Sequence, residues 1–372
     1  MRLDDLPTPS LILDRDRFAA NCQAMIDRCR RLGAGLRPHM KTMKSIDAAR
    51  IAIDPEHGGI TVSTLNEAEY FAGHGIADIL LAVCITPDKF ARAAKVAGRV
   101  ERLGVFIDDP GVADQLAVFA DREGAGFDVW IEIDSGDHRT GVRPDGDQLL
   151  EIGEAITRSR HARLRGVATH AGHSYECRTA EEMKQVAEDE RLAVVTAAER
   201  LRAHGLSCAG TSIGSTPTAT FMEAADGITE IRAGVYQTGD LVQEGLGTCA
   251  RADLALSVLA TVISHRREQG RIVLDAGGLA LSKDRGTDAN GAASYGALDL
   301  PAPFSASVSR VSQEHGEVHG ADAALFEALP IGAKVRVLPN HACMTAAMYD
   351  RFHVAGTDGD VSDVWERTNG WS

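Results

Sequence analysis

Lys41 is the residue whose position best suits covalent chemistry. It ends the run Arg-Pro-His-Met-Lys at residues 37–41, which overlaps the end of an apolar segment of strand length near residues 35–38. A lysine amine held at a strand end is a nucleophile that condenses with carbonyl groups. Most single lysines are only solvated surface charges, so this interpretation depends on partners elsewhere in the chain.

Two glycine-containing turns offer backbone donors for an anion. Residues 214–216 (Gly-Ser-Thr) and 234–236 (Gly-Val-Tyr) each follow a strand-like apolar run, and the two runs are consecutive. Backbone N–H groups in such turns bind phosphate. Together with a strand-terminal lysine, they predict pyridoxal 5'-phosphate, because its aldehyde reacts with an amine and its phosphate needs an anion site.

His341 and Cys343 form a candidate metal-binding pair. Residues two apart on a strand point to the same side, and imidazole and thiolate ligands suit zinc. A His-x-Cys pair is weak evidence when it stands alone, because a core cysteine beside a chance histidine is the ordinary interpretation.

An alternation of strands and helices must position these residues. Eight strand-length apolar runs lie near residues 35–38, 60–64, 79–84, 104–107, 128–133, 165–169, 208–213 and 229–232. Segments of helical period separate them, and this alternation is typical of a parallel sheet with crossover helices. Eight such units predict an α/β fold with a TIM-like (β/α)8 barrel, whose active site forms at the carboxyl ends of the strands. An open doubly wound sheet is the alternative.

A second domain follows the barrel. After residue 245 the pattern changes to β-rich alternation over residues 254–264, 270–274, 333–338 and 346–354, with glycine-rich turns between them. We predict a PLP-binding barrel over residues 15–245, which opens with a helix over 15–31. Residues 246–372 are predicted to form a C-terminal antiparallel β domain that carries the metal site. A short strand within residues 1–14 could pair with its sheet.

The motifs taken together resemble a known class of enzymes. They occupy residues 8–14, 37–41, 133–142, 169–173, 213–217, 232–236 and 339–343, nearly the whole chain in order. The chain resembles the fold-type III pyridoxal-phosphate enzymes, and within them the D-threonine aldolase and D-serine dehydratase family, relatives of bacterial alanine racemase. Met43 departs from the pattern, since members of the family often have histidine there.

The resemblance implies a role for each motif. Lys41 would carry the cofactor, Arg139 would reach its phenolic oxygen, and His170 would lie beside its ring. Arg232 would face the pyridine nitrogen and keep it unprotonated, because a guanidinium only donates hydrogen bonds. The predicted cofactor-binding residues are Lys41, His39, Arg139, His170, Gly214, Ser215, Thr216, Arg232, Gly234, Val235 and Tyr236.

The resemblance also bears on the metal and on the reaction. D-serine dehydratases of this type have a zinc site of His-x-Cys form, whereas the aldolases typically have His-x-Asp. We therefore predict His341 and Cys343 as ligands of Zn²⁺, with Mn²⁺, Mg²⁺ or Co²⁺ as alternatives. Lys41, His173 and Tyr175 are the predicted catalytic residues, although His173 and Tyr175 could instead merely orient the substrate.

Several functions stay open at this point. The first is a lyase for D-β-hydroxy amino acids, which either eliminates water to give a keto acid and ammonia or cleaves the substrate to glycine and an aldehyde. A pyridoxal-phosphate-dependent racemase is the alternative, and a non-catalytic cofactor-binding protein is a further one. A homodimer is expected from the resemblance alone.

Composition limits the classes of partner. Lys and Arg number 39 against 53 Asp and Glu, a formal net charge of −14 at pH 7, which repels nucleic acids and anionic lipids. No apolar run reaches the about 18 residues of a membrane span, and no secretory signal is recognisable. The seven cysteines include no Cys-x-x-Cys pair. We expect a cytoplasmic protein that acts on a small molecule, without nucleic acid or membrane partners.

Overall fold

The computed structural model describes residues 1–286, 293–356 and 359–371, and the chain divides into two compact units. The barrel unit comprises residues 24–234 and the end of the chain from residue 368. The β unit comprises residues 1–23 and 235–367.

Seventeen strands, β1–β17 in chain order, lie in the described residues, and eight of them form the sheet of the barrel unit. β1 (Ser10–Asp14) belongs to the β unit. The barrel strands are β2 (Gly35–Leu36), β3 (Ile60–Val62), β4 (Asp78–Cys84), β5 (Arg102–Ile107), β6 (Phe127–Glu132), β7 (Ala162–Ala168), β8 (Gly210–Ile213) and β9 (Glu230–Ile231).

The barrel strands pair in parallel in the order β2-β9-β8-β7-β6-β5-β4-β3. Hydrogen bonds join the chain after β2 to β3 and close the ring. The Met40 N–H donates to the Thr61 carbonyl at 2.8 Å, and the Thr61 N–H donates to the Pro38 carbonyl at 2.9 Å. The predicted TIM-like (β/α)8 barrel is confirmed, and the open sheet is wrong.

Helices precede or connect the barrel strands. They are α1 (Arg15–Arg31), α2 (Ile46–Ala52), α3 (Leu65–Gly73), α4 (Phe90–Ala97), α5 (Pro110–Glu123), α6 (Asp147–Thr157), α7 (Ala180–Ala203) and α8 (Thr216–Phe221). Side chains cap several of their first turns, as where Asp109 accepts a hydrogen bond from Val112 N and Thr179 accepts one from Glu182 N. These caps fix where each connection ends and the helix begins.

The barrel interior is packed with side chains. Leu80, Phe106, Trp130 and Ala168, contributed by β4 to β7, form one buried cluster. A glycine makes room for the largest of them, since a Cβ at Gly210 would lie 2.4 Å from the Trp130 ring. Because side chains fill the barrel interior here, we expect the active site at the carboxyl ends of the strands.

The β unit contains a nine-stranded sheet in which β1 lies between β10 and β16. Its later strands are β10 (Leu256–Arg266), β11 (Arg271–Leu274), β12 (Ala297–Leu298), β13 (Val308–Val311), β14 (Gly316–His319), β15 (Lys334–Leu338), β16 (Arg351–Ala355) and β17 (Val361–Glu366). β1 is antiparallel to β10 and parallel to β16. The pairing of the N-terminal strand with this sheet is confirmed, but the sheet is mixed rather than purely antiparallel, because β1 runs in the same direction as β16.

In the described part of the β unit there are also four short α-helices: α9 (Leu241–Gly245), α10 (Gly278–Leu281), α11 (Ala323–Ala328) and α12 (Ala342–Ala346). The strand predicted over residues 346–354 is wrong in its first part, because residue 346 ends α12 and β16 begins only at residue 351. An acceptor outside the sheet stabilises the helical turn, since the buried Asp240 carboxylate accepts a hydrogen bond from Ala342 N at 3.0 Å.

Among the described residues, no helix combines the length and the apolar character that crossing a bilayer requires.

Candidate active site

Four predicted cofactor residues lie where barrel strands end. Lys41 follows β2, Arg139 follows β6, His170 follows β7 and Arg232 follows β9. The carboxyl ends of the strands in a closed parallel barrel form one rim, and we call these four side chains the rim cluster.

His170 is the most strongly perturbed member of the rim cluster. Its Nδ1 lies 3.0 Å from the Gly214 carbonyl oxygen, which only accepts, so Nδ1 carries the proton and Nε2 has none. Burial lowers the pKa of His170 to about 3. The bond to Gly214 partly offsets this effect, and the charges of Lys41, Arg139 and Arg232 add to it. At neutral pH, His170 is an uncharged imidazole that suits packing against an aromatic ring.

Arg232 is a buried guanidinium in a fixed orientation. It donates to the Thr169 carbonyl at 2.6 Å and to Ser212 Oγ. Its guanidinium carbon, Cζ, lies 5.3 Å from the centre of the Phe106 ring. Burial lowers its pKa, and nearby carboxylates oppose that effect. These carboxylates are Glu230, Glu190 and Glu132. The side chain is therefore held as a cation whose N–H groups can serve only as donors.

His39 links Lys41 to the rest of the rim cluster. The Lys41 side chain is exposed, and its backbone N–H donates to His39 Nδ1 at 3.3 Å. Burial lowers the pKa of His39 well below its usual value, and the charges of Lys41, Arg232 and His170 lower it further. Lys41 thus lies close enough to both histidines to influence their protonation.

Arg139 lies on the loop after β6, exposed, with its Nε 3.9 Å from Asp137 Oδ2. Asp134 holds this loop by accepting hydrogen bonds from Gly136 N at 2.9 Å and from His138 Nδ1 at 2.7 Å. Burial alone would raise the pKa of Asp134, but these hydrogen bonds lower it overall, so the carboxylate stays charged. A small cavity between the loop and His170 is lined in part by Arg139.

The two predicted anion-binding turns differ in the donors that they offer. The N–H groups of Gly214 and Ser215 donate to Glu190 and to Thr218 Oγ1, each at 3.0 Å, so both are already used within the chain. Ser215 caps α8, with Thr216 as its first residue. In the other turn, the N–H groups of residues 234 and 235 donate to no acceptor in the described part of the chain.

Gly234 also permits a close approach of two strand ends. A Cβ at this position would lie 3.1 Å from the side chain and the backbone oxygen of His39. Val235 and Tyr236 follow it in the chain and are buried in the short 3₁₀ turn Val235–Gln237.

His173 and Tyr175 lie in one 3₁₀ turn, Gly172–Glu176, after β7. His173 Nδ1 is buried and has no hydrogen-bond partner in the described residues. Its ring faces the Arg139 loop, because a Cβ at Gly136 would lie 3.4 Å from His173 Cε1. Both side chains are half-buried, which is compatible with access to a bound molecule.

Glu190 is a functional candidate that the sequence analysis missed. It lies on α7, fully buried, and its Oε1 accepts hydrogen bonds from Ala171 N and Gly214 N, both at 3.0 Å. One carboxylate thereby joins the loop after β7 to the loop after β8. The sequence held a signal, since Glu190 falls at helical spacing between buried Ala187 and Val194.

A second missed group lies at the ends of three neighbouring strands. Ligand atoms of Cys84, Asp108 and Glu132 lie within 4.8 Å of one another, close enough to surround a metal ion. The Cys84 thiol donates to Glu132 Oε2 at 3.0 Å. Burial and the two carboxylates raise the pKa of this thiol, so it keeps its proton. Residues so far apart in the chain share no local motif.

The predicted metal pair lies in the β unit, but not on a strand. His341 is the N-cap of α12 and Cys343 lies within that helix, so the strand geometry first used to pair them is wrong. The two side chains instead meet at a helix start and are within hydrogen-bond reach of each other. His341 Nδ1 lies 2.9 Å from Asp284 Oδ2.

Carboxylates surround the His341–Cys343 pair. Burial raises the pKa of Asp240 to about 6, although backbone N–H donors oppose the change. Burial alone would lower the pKa of His341, but its contact with Cys343 and the charges of Asp240 and Asp284 raise it to about 9. The pair thus lies in a negative environment that favours a bound cation.

Family comparisons match both units. Residues 13–242 match the alanine racemase N-terminal domain, and residues 255–355 match a putative serine dehydratase domain. The chain is 43% identical over 98% of its length to D-threo-3-hydroxyaspartate dehydratase of Delftia sp. (strain HT23), covering 98% of that protein. The chain belongs to the D-threonine aldolase and D-serine dehydratase family of fold-type III pyridoxal-phosphate proteins.

Other members of this family are similar along nearly the whole chain. D-serine dehydratase of Dictyostelium discoideum is 30% identical, with coverage of 99% of this chain and 98% of that protein. D-threonine aldolase of an Arthrobacter species is also 30% identical, with 96% and 91% covered. A solved structure of the Delftia dehydratase superimposes with a TM-score of 0.94 at 42% identity, covering all of both chains.

The family's cofactor fits the residues that follow the barrel strands. The unused N–H groups of residues 234 and 235 can bind an anion, and neutral His170 can lie against a ring. Buried Arg232 offers only donors, as an unprotonated pyridine nitrogen requires. In the β unit, the imidazole of His341 and the thiol sulfur of Cys343 suit a cation such as Zn²⁺.

Glu190 should support the rim cluster in this family member. Glu190→Ala leaves two buried N–H groups without an acceptor, which costs about 1–3 kcal/mol for each group. We expect a lower midpoint of urea unfolding and weaker binding of added pyridoxal phosphate. Glu190→Gln, whose amide oxygen can still accept, should recover much of both losses. Wild-type values for Glu190→Ala in both measurements would contradict this role.

His170 should make the folded state sensitive to acid. Its pKa is about 3 in the folded chain and about 6.5 when unfolded, so below pH 6.5 only the unfolded chain takes up its proton. Stability present above pH 6.5 is then lost as the pH falls, by on the order of 1 kcal/mol per pH unit. Urea unfolding at pH 7 and pH 5 should show a smaller loss for His170→Asn, while a control variant of exposed His74 should match the wild type.

Proposed function

We propose that this chain is a pyridoxal-phosphate- and divalent-metal-dependent lyase that acts on D-β-hydroxy amino acids. The observation that carries the proposal is the rim cluster, in which Lys41 lies near uncharged His170 and the fixed guanidinium of Arg232. The 43% identity to a D-threo-3-hydroxyaspartate dehydratase over 98% of the chain supports the same class of substrate.

Each rim residue has a distinct task in this proposal. Pyridoxal phosphate, when bound, supplies an electron sink that acidifies the Cα–H bond of an attached amino acid. Lys41 would hold the cofactor through its amine, and its Nζ, when free of that bond, would accept the Cα proton of the substrate. Arg232, which can only donate hydrogen bonds, would hold the cofactor at its pyridine nitrogen, and Arg139 would hold it at its phenolic oxygen.

The predicted metal ligands would assist departure of the substrate's β-hydroxyl in this proposal. A divalent cation held by His341 and Cys343 would supply a Lewis acid for the substrate's β-hydroxyl. Overall, the substrate would lose its Cα proton and its β-hydroxyl together as one water molecule, and the released enamine would take up water to give a 2-keto acid and ammonia. His173 and Tyr175 are further acid–base candidates, and the buried, unpartnered Nδ1 of His173 supports that assignment.

We favour the dehydratase over the aldolase because of Cys343. The family resemblance associates His-x-Cys with dehydratases and His-x-Asp with aldolases, and this chain has cysteine. We further propose Zn²⁺ as the metal, a homodimer, and a cytoplasmic location. We assign cofactor binding to residues 15–245 and metal binding to residues 246–372. Elemental analysis and light scattering of the purified protein test the metal and the dimer.

Product analysis tests the reaction directly. Incubation with D-serine, D-threonine, D-phenylserine and 3-hydroxy-D-aspartate should release a 2-keto acid and ammonia from at least one of them, detected by mass spectrometry and an ammonia assay. Glycine and an aldehyde would instead identify an aldolase. Conversion of D-alanine to L-alanine would identify a racemase, and no turnover at all would contradict an enzyme of this class.

Lys41→Ala tests the cofactor attachment. The variant should lose the visible absorbance of the bound cofactor, expected at roughly 410–430 nm, together with at least ~10³-fold of activity, because no amine remains to hold the cofactor or take the Cα proton. Borohydride reduction of the wild type followed by peptide mass spectrometry should place the added mass on the peptide that contains Lys41. Lys44→Ala is the matched control, since that nearby lysine instead pairs with Glu67 at 3.3 Å. Full activity and an unchanged band in Lys41→Ala would exclude the assignment.

A further inference from the structure

Asp284 contacts His341, one of the two predicted metal ligands, from a different part of the chain. It lies after α10, and its Oδ2 is 2.9 Å from Nδ1 of His341. A carboxylate only accepts hydrogen bonds, so Nδ1 of His341 carries the proton in this contact. The other ring nitrogen, Nε2, is then the atom available to bind a metal.

Further hydrogen bonds hold Asp284 in place beside His341. The buried Asn340, which directly precedes His341, donates through Nδ2 to the backbone oxygen of Asp284 at 2.8 Å and also to the oxygen of Ser294. Asp284 N donates to Ser282 Oγ at 3.2 Å. The side chain of Asn340, the residue before His341, therefore fixes the backbone of Asp284, which is the carboxylate partner of His341.

The backbone on either side of Asp284 is adapted to these hydrogen bonds. Ser282 has a positive φ of 71°, which is costly for a residue other than glycine. Gly286 also has a φ of 71°, and a Cβ there would lie 3.1 Å from Asn340 Oδ1. A strained serine and a glycine in close contact thus bracket the segment that presents Asp284.

The cations next to Asp284 in the chain are directed elsewhere. The Arg285 guanidinium lies 5.9 Å from the centre of the Tyr295 ring. The stem of Lys283 lies against Gly278, where an added Cβ would come within 3.4 Å of it. Among the described residues, the Asp284 carboxylate pairs with His341.

We propose that Asp284 is a positioning residue for the metal site, which fixes the tautomer and ring orientation of His341 so that Nε2 faces the ion. This inference rests on the proposed function, because it takes His341 as a metal ligand. A carboxylate behind a ligating imidazole also makes the ligand more basic, and its loss typically lowers metal affinity about 10–100-fold.

Metal affinity is the measurement that tests the proposal. Asp284→Ala should bind Zn²⁺ about 10–100-fold more weakly than the wild-type holoenzyme in competition with a chromophoric chelator. Asp284→Asn should recover part of the loss, because its amide oxygen can still accept from Nδ1. Thermal unfolding of both variants establishes that they are folded. We expect them to fold, because the Asp284 side chain is half-exposed.

Cobalt substitution separates positioning from direct ligation. At saturating Co²⁺, both Asp284 variants should show the ligand-field and thiolate charge-transfer bands of the wild type, because the ligands are unchanged. Glu317→Gln is the matched control, since Glu317 makes a similar contact of 2.9 Å with His319 in the same unit. It should bind metal like the wild type.

Three results would overturn the inference. Wild-type affinity in Asp284→Ala would show that the carboxylate does nothing for the site. Altered bands at saturating Co²⁺ would make Asp284 a ligand rather than a positioning residue. A wild-type chain that binds no Co²⁺ or Zn²⁺ would overturn the inference together with the metal part of the proposed function, whereas the first two results leave that function intact.

Discussion

The protonation of the rim cluster depends in part on the buried positive charge of Arg232. Taking a guanidinium out of water costs several kcal/mol unless charges and acceptors compensate it. Arg232 receives that compensation from the Thr169 carbonyl, from Ser212 and from nearby glutamates, and the face of Phe106 adds a cation–π contact. Its field contributes, after burial, to the low pKa values of His39 and His170. One buried cation thus helps set the protonation of two imidazoles near Lys41.

Loops in both units are fastened by single buried polar side chains. In the barrel unit, Glu190 accepts from two loops at once. In the β unit, Asp240 accepts from Gln243 N and Ala342 N, while Asn340 donates to two backbone carbonyls. Loops have little packing of their own to define them, so hydrogen bonds to buried groups supply the order that a preorganised site needs.

The sequence predicted the positions of the strands better than it predicted which side chains lie in contact. All eight barrel strands fall on predicted apolar runs, and α1 has the predicted bounds, because periodic burial is written into local spacing. The metal pair was assigned to a strand, yet His341 and Cys343 meet at the start of α12. The reason lies outside the segment, because Asp240, about a hundred residues earlier, accepts from Ala342 N. The group of Cys84, Asp108 and Glu132 was missed for the same reason, since its members share space but no motif.

The sequence by itself determined the order of strands and helices, the candidate lysine, and the family resemblance, because these are carried by residue types at fixed spacing along one chain. Tertiary structure alone decided that the ring of strands closes, through the bonds between Thr61 and residues 38–40. It also decided that Glu190 joins two loops and that Asp284 faces His341. Hydrogen bonds between residues far apart in the chain depend on where folding places them, and periodicity reports only which side of an element is buried.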